Sequence, residues 1–234
     1  MLDSDGFDLW ADGYDRSVQA SEESGEYPFA GYRKVLDEIY RRVRRQGGAD
    51  VLDIGFGTGV LTERLYDAGC RITGADFSEK MIALAKSKMP GAVLLRWDFT
   101  QSLPEEIARR RFDDAVSTYA LHHVTDREKP EFLRRLAGLL APGGKILIGD
   151  VAFGTRKELE QCREKYRAAW DGEEEYLVAE ELEKALGSGF SCGFRRLSHC
   201  AGVFSVAPAE EHLSDIETQR KAGGMKKWQS LLRE

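Results

Sequence analysis

The run Asp53-Ile54-Gly55-Phe56-Gly57-Thr58-Gly59 has the residue types and spacing of a ligand cradle. Glycines at alternate positions let the backbone turn sharply and approach a ligand with no Cβ in the way. The helix start that follows offers free N–H groups. A G-x-G-x-x-G spacing would seat a pyrophosphate on that helix start. Here the spacing is G-x-G-x-G, and Asp53 stands two positions before the first glycine. That carboxylate would repel a pyrophosphate and suits a ligand with a cationic group. Two more acids, Asp76 and Asp98, follow at the ends of the next two apolar runs. A short strand-end carboxylate accepts two ribose hydroxyls, each such bond contributing about 1.5–3 kcal/mol. Asp76 alone does not discriminate, because nicotinamide dinucleotide sites also use an acid there. An acid at an adenine edge accepts from its exocyclic amine, the role expected of Asp98, with Phe77, Met81 and Phe99 expected to pack on the adenine faces.

The elements that must position these groups read as alternating strands and helices. Val35, Leu36, Ile39, Tyr40 and Val43 recur at helical spacing, predicting a helix to about Arg45. The arginines of its last turn are favoured there by the helix dipole. Strands are predicted at 51–54, 71–75, 92–96, 114–118 and 145–151. Helices are predicted at 60–68, 79–88, 129–140, 156–169 and 179–186, with a short one near 104–110. Two last strands, 194–199 and 202–207, are joined by Cys200-Ala201. Repeated strand–helix units imply a parallel sheet covered on both faces, with ligands at the carboxyl ends of its strands. The expected fold is α/β, a Rossmann-like three-layer sandwich with a mostly parallel seven-stranded sheet and one antiparallel strand.

The expected organisation is one domain: an N-terminal helical cover to residue 46, a cofactor-binding core at 47–151, a lid at 152–178, a helix and strand pair at 179–208, and a tail at 209–234. Hydrophobic residues at 42 % and charged ones at 32 % fit a soluble globular chain. A net charge of -6 argues against tight phosphate-backbone binding. No apolar run approaches the roughly 20 residues that span a bilayer, and the acidic start lacks a signal core. The four cysteines form no CxxC pair, and a reducing, cytoplasmic setting is expected.

These motifs, in this order over residues 51–151, resemble those of the class I S-adenosylmethionine-dependent methyltransferases. The resemblance implies that Gly55, Gly57 and the loop residues Asp53, Phe56, Thr58 and Gly59 hold the methionine end. It implies ribose at Asp76, adenine at Asp98, and further cofactor contacts from Phe77, Ser78, Met81, Trp97, Phe99, Tyr119 and Ala120. The opening Trp10-Ala11-x-x-Tyr14-Asp15 also resembles a bacterial subgroup usually labelled YrrT-like, which implies Tyr14 and Tyr32 over the cofactor.

The segment after the fourth strand bears on the acceptor. Methylases of nucleobase or glutamine amino groups resemble one another in an Asn/Asp-Pro-Pro-aromatic turn there. This chain has Ser117-Thr118-Tyr119-Ala120-Leu121-His122-His123, and no Pro-Cys pair. The pattern resembles small-molecule members of the family. His122 and His123 cannot both face one ligand from a regular backbone. His123 is the favoured base, and His122, Asp150, Tyr166 and Trp170 are candidates for the acceptor pocket. No metal-ligand spacing emerges, and no metal is expected. Glu173-Glu174-Glu175 reads as a solvated face, or as a preference for a cationic acceptor. The expected partners are a small-molecule methyl acceptor, no nucleic acid and no membrane, with the chain a monomer or homodimer. The rival readings are a non-catalytic S-adenosylmethionine- or partner-binding protein and a nicotinamide-dependent dehydrogenase.

Overall fold

Buried strands with apolar residues on both faces organise the computed structural model, which describes residues 23–43, 48–99 and 101–209. The strands are β1 (Asp50–Ile54), β2 (Arg71–Asp76), β3 (Val93–Arg96), β4 (Phe112–Thr118), β5 (Leu140–Phe153), β6 (Leu177–Val178), β7 (Phe190–Arg196) and β8 (Ala201–Pro208). Their order is β3-β2-β1-β4-β5-β8-β7, with β6 paired to the end of β5. β8 runs antiparallel to both β5 and β7, and every other pairing is parallel. The sheet is thus the expected mostly parallel one with a single reversed strand, extended by the two-residue β6.

The helices are α1 (Tyr32–Arg42), α2 (Val60–Asp67), α3 (Glu79–Lys88), α4 (Glu105–Ala108), α5 (Lys129–Ala137), α6 (Arg156–Lys165) and α7 (Ala179–Leu186). Strand side chains alternate between faces, and the core divides accordingly. Leu52, Ile54, Ile146 and Ile148 pack with Phe132, Leu133 and Leu136 of α5 and Leu182 of α7. Val51, Ile72, Val116 and Leu147 pack with Val35, Leu36 and Ile39 of α1 and Leu61 and Leu65 of α2. Gly149 lets α1 settle onto β5: a Cβ there would lie 2.3 Å from Val35 Cγ1. Buried Glu38 of α1 accepts from Arg195 of β7 at 2.9 and 3.0 Å. It also pairs with Arg41 and Arg42, so part of the basic run has a specific partner beyond the helix dipole.

Several boundaries differ from the sequence reading. α1 ends at Arg42, where Val43 turns to extended dihedrals. α5 stops three residues early because Leu140 already pairs with Phe112 of β4. α6 starts on a Thr155–Glu158 capping box and ends before Tyr166, releasing 166–169 as turns. β7 lies earlier than expected because 197–200 forms the reversal. Ser198 Oγ accepts there from Cys200 N at 3.2 Å and Ala201 N at 3.0 Å. None of the four cysteines is in a disulfide. No helix among the described residues is long and apolar enough to cross a membrane.

Candidate active site

Strand order reverses between β1 and β4, and the crevice at their carboxyl ends is where open α/β sheets place ligands. Gly55, Gly57 and Gly59 all lie in the left-handed region, at φ 68, 57 and 82°. Gly55 is the tightest: a Cβ there would fall 2.4 Å from Ala120 Cβ. A Cβ on Gly57 would meet nothing within 4 Å, so the loop backbone stands open. Gly59 begins α2.

The tip of β2 is locked to this loop. Gly57 N donates to Asp76 Oδ2 at 2.8 Å, and Ser78 N donates to Oδ1 at 3.0 Å. Ser78 caps α3, its Oγ accepting from Met81 N at 3.2 Å. Phe56 packs on Gly74, where a Cβ would lie 2.8 Å from its ring. Asp53 sits on the Val51 face of β1 and is fully buried. Its Oδ2 accepts from Thr62 Oγ1 at 2.7 Å, while Oδ1 has no hydrogen-bond partner. Burial, with the Asp76 charge adding, pushes its pKa up to about 7. Asp53 therefore braces the start of α2 from below the loop and does not line the cavity, contrary to the sequence expectation.

One cavity of about 320 Å³ opens above these groups. Of the expected site residues, it is lined by Tyr32, Gly55, Phe56, Gly57, Thr58, Asp76, Phe77, Met81, Phe99, Tyr119, Ala120, His122 and His123. Gly59, Ser78, Trp97, Asp98, Asp150, Tyr166 and Trp170 stand outside its lining. Trp97 and Asp98 diverge from the expected cavity-facing placement. Trp97 turns into the core, donates from Nε1 to Ser102 O at 3.0 Å and stacks on Phe132. Asp98 consequently points outward and is exposed. Tyr14 lies outside the described residues.

The turn after β4 brings both histidines to the cavity. Tyr119 takes a positive φ of 50°, and Leu121–His123 forms a single 3₁₀ turn. Successive residues of such a turn diverge less than on a strand, and the two imidazoles stand 4.2 Å apart between centroids. The expectation that only one could face a ligand fails for that reason. His122 Nδ1 lies 2.7 Å from Asp150 Oδ1, behind the cavity wall. A carboxylate only accepts, so Nδ1 carries the proton. Burial pulls the His122 pKa down, but Asp150 and then Glu174 outweigh it, and the net shift is upward. Burial and the neighbouring His122 pull His123 down to about 4.

Glu174, unremarked in the sequence beyond its acidic run, lies 3.5 Å from His122 Nε2 and accepts from Tyr176 Oη at 2.6 Å. Tyr176 in turn meets the Tyr27 hydroxyl, which burial pushes up to about 12. Tyr166 and Trp170 stack on Tyr27 at 5.6 and 5.1 Å, backing the wall instead of forming it. Phe29, Tyr32 and Tyr119 make a second aromatic wall. Glu175 N donates to His122 O at 3.0 Å, and Lys129 Nζ to Glu175 O at 2.6 Å, pinning this cover to the turn. His122, His123 and Glu174 also present one potential metal-ligand atom each within 4.8 Å of one another.

This fold and loop define an open, mostly parallel α/β class with one cavity spanning the carboxyl ends of its central strands. Residues 51–144 match the family model of a methyltransferase domain. An uncharacterized methyltransferase of Geobacillus kaustophilus is 40 % identical over 199 residues, covering 80 % of this chain and 88 % of the relative. One of Bacillus cytotoxicus is 34 % identical over 210 residues, covering 86 % and 95 %. Among solved structures, the DhpI–SAH complex superposes with a TM-score of 0.67 at 20 % identity, over 88 % of this chain and 95 % of that one. The SAH-bound magnesium protoporphyrin IX methyltransferase of Synechocystis gives 0.60 at 20 %, over 77 % and 85 %. Both structural likenesses are of fold. The chain belongs to the class I S-adenosylmethionine-dependent methyltransferases, and S-adenosylmethionine is its cofactor. The residues fit that group: no side chain fills the space a Cβ on Gly57 would take, and the Asp76 carboxylate faces the cavity with its orientation already fixed.

Proposed function

We propose that this methyltransferase acts on a small-molecule acceptor, bound between the turn after β4 and the segment 169–176. The observation that supports this most is the extension of the cavity past the nucleoside-binding elements, into walls formed by Tyr27, Tyr119, His122, His123, Glu174 and Tyr176. Among the described residues, no lysine or arginine lines it, whereas Asp171, Glu173 and Glu174 do. That favours a neutral or cationic acceptor over a phosphorylated one.

When bound, the cofactor supplies a methyl group activated on a sulfonium, open to direct displacement. The chain supplies proximity, alignment and exclusion of water. In this reading the loop backbone at Gly55–Gly57 holds the methionine end, Asp76 accepts from the ribose hydroxyls, and Phe77, Met81 and Phe99 pack on adenine. The cover tied to His122 and Lys129 keeps the acceptor end dry. Where the acceptor must lose a proton, His122, backed by Asp150, is the stronger base. His123, neutral down to about pH 4, holds a proton poorly and is better suited to accept a hydrogen bond.

Titration calorimetry with S-adenosylhomocysteine, followed by a metabolite screen for release of that product, tests the reading. Binding in the micromolar range and turnover with a small acceptor are expected. Folded protein that binds the product cofactor but methylates only macromolecules would overturn the acceptor assignment.

A further inference from the structure

The polar group at the acceptor end combines two imidazoles with a carboxylate, and a metal on His122 Nε2 would replace the base role of that nitrogen. We propose that His122 Nε2, a His123 ring nitrogen and Glu174 Oε1 form a divalent transition-metal site of the zinc type, facing the acceptor. Only the suggestion that the cation holds the acceptor rests on the function proposed above; the binding of the metal does not.

Ligand geometry carries the inference first. Zinc bonds of roughly 2.0–2.2 Å in a tetrahedron place neighbouring ligand atoms about 3.4 Å apart. His122 Nε2 and Glu174 Oε1 already stand 3.5 Å apart, long for a hydrogen bond and matched to that edge. The third ligand atom lies within 4.8 Å of both, and a modest rotation of the His123 ring closes the remainder. Two imidazoles and one carboxylate, with a further position open to a cavity, is the donor set of catalytic zinc sites.

The surroundings supply a second, independent reason. Metal-binding histidines characteristically give their other N–H to a carboxylate, which fixes ring and tautomer. Asp150 does this for His122 at 2.7 Å, leaving the Nε2 lone pair directed away from it. Asp150 is itself fixed by Val151 N at 2.8 Å, and Tyr176 Oη holds the other oxygen of Glu174 at 2.6 Å. Both ends of the pair are therefore oriented from outside. Among the described residues, no lysine or arginine pairs with Glu174. The nearest buried cation, Lys129, is engaged by Asp126 and Glu175 O. A cation placed here neutralises Glu174 and presents a Lewis-acidic position to the nitrogen, oxygen or sulfur atom of an acceptor.

The test uses the full, untagged chain stripped with a chelator and titrated with zinc alone, followed by cobalt(II) absorption to report coordination. One tightly bound zinc ion per chain is expected, with the visible bands of four-coordinate cobalt. Glu174→Gln and His122→Ala should each weaken zinc at least about tenfold, and His199→Gln, in the β7–β8 reversal where its ring stacks on Tyr166 outside the cavity lining, should leave affinity unchanged. Glu174→Gln is the conservative variant if His122→Ala fails to fold. No binding at high micromolar zinc, or an affinity that neither substitution changes, overturns the site. S-adenosylhomocysteine binding by the same metal-free protein separates that outcome from failure of the proposed methyl transfer.

Discussion

The cofactor half and the acceptor half of the cavity are assembled over different distances along the chain. In the first, Asp53 meets Thr62 nine residues on, Ser78 caps Met81 three residues on, and Gly57 reaches Asp76 across 19 residues. In the second, His122 meets Asp150 across 28 residues, Lys129 meets Glu175 across 46, and Tyr27 meets Tyr176 across 149. The nucleoside end thus depends on local backbone conformation at adjacent strand tips. The acceptor end depends on how α6, the 166–176 cover and the N-terminal approach to α1 pack together. Cofactor and acceptor binding should therefore separate under mutation.

The largest break should come from Gly55→Ala. It forces an alanine to φ 68° and drives its Cβ into Ala120. We expect a loss of about 3 kcal/mol in stability, read by chemical denaturation, together with loss of S-adenosylhomocysteine binding.

Next is Asp53, whose folded pKa of about 7 stands above the ordinary 3.8. The folded chain keeps a proton that the unfolded chain releases, so stability falls as pH rises from about 4 to about 7 and levels off above. Asp53→Asn should remove that slope, seen in denaturation curves at stepped pH.

Asp76→Ala should weaken S-adenosylhomocysteine by about 2 kcal/mol, roughly thirtyfold in titration calorimetry. Tyr176→Phe is the smallest change. It removes the hydroxyl that orients Glu174. Turnover should fall about tenfold, as loss of one hydrogen bond permits, while cofactor affinity stays within about twofold.

The same contrast explains what could be read from sequence. Apolar periodicity set the strands and helices, and α3 and α7 emerge with the expected ends. The glycine spacing anticipated a backbone conformation, and all three glycines adopt it. Errors began where a side chain's direction mattered. Trp97, Asp98 and Phe99 are consecutive, and the sequence does not say that Trp97 buries itself, leaving Asp98 outside and Phe99 on the cavity. Asp53 resembles a ligand contact until the strand alternation turns it toward Thr62. The histidine pair was legible as a functional candidate, but the 3₁₀ turn that presents both rings has no spacing signature. Glu174 was one acid in a run of three. Only tertiary packing distinguishes it from Glu173 and Glu175.

Parallel calorimetric titration of S-adenosylhomocysteine into the wild-type chain, Asp76→Ala and Tyr176→Phe probes the separation of the two halves most directly. The expected result is a roughly thirtyfold loss for Asp76→Ala beside a nearly unchanged constant for Tyr176→Phe. Equal losses in both variants, or no loss in Asp76→Ala, would contradict a nucleoside site built on the tip of β2.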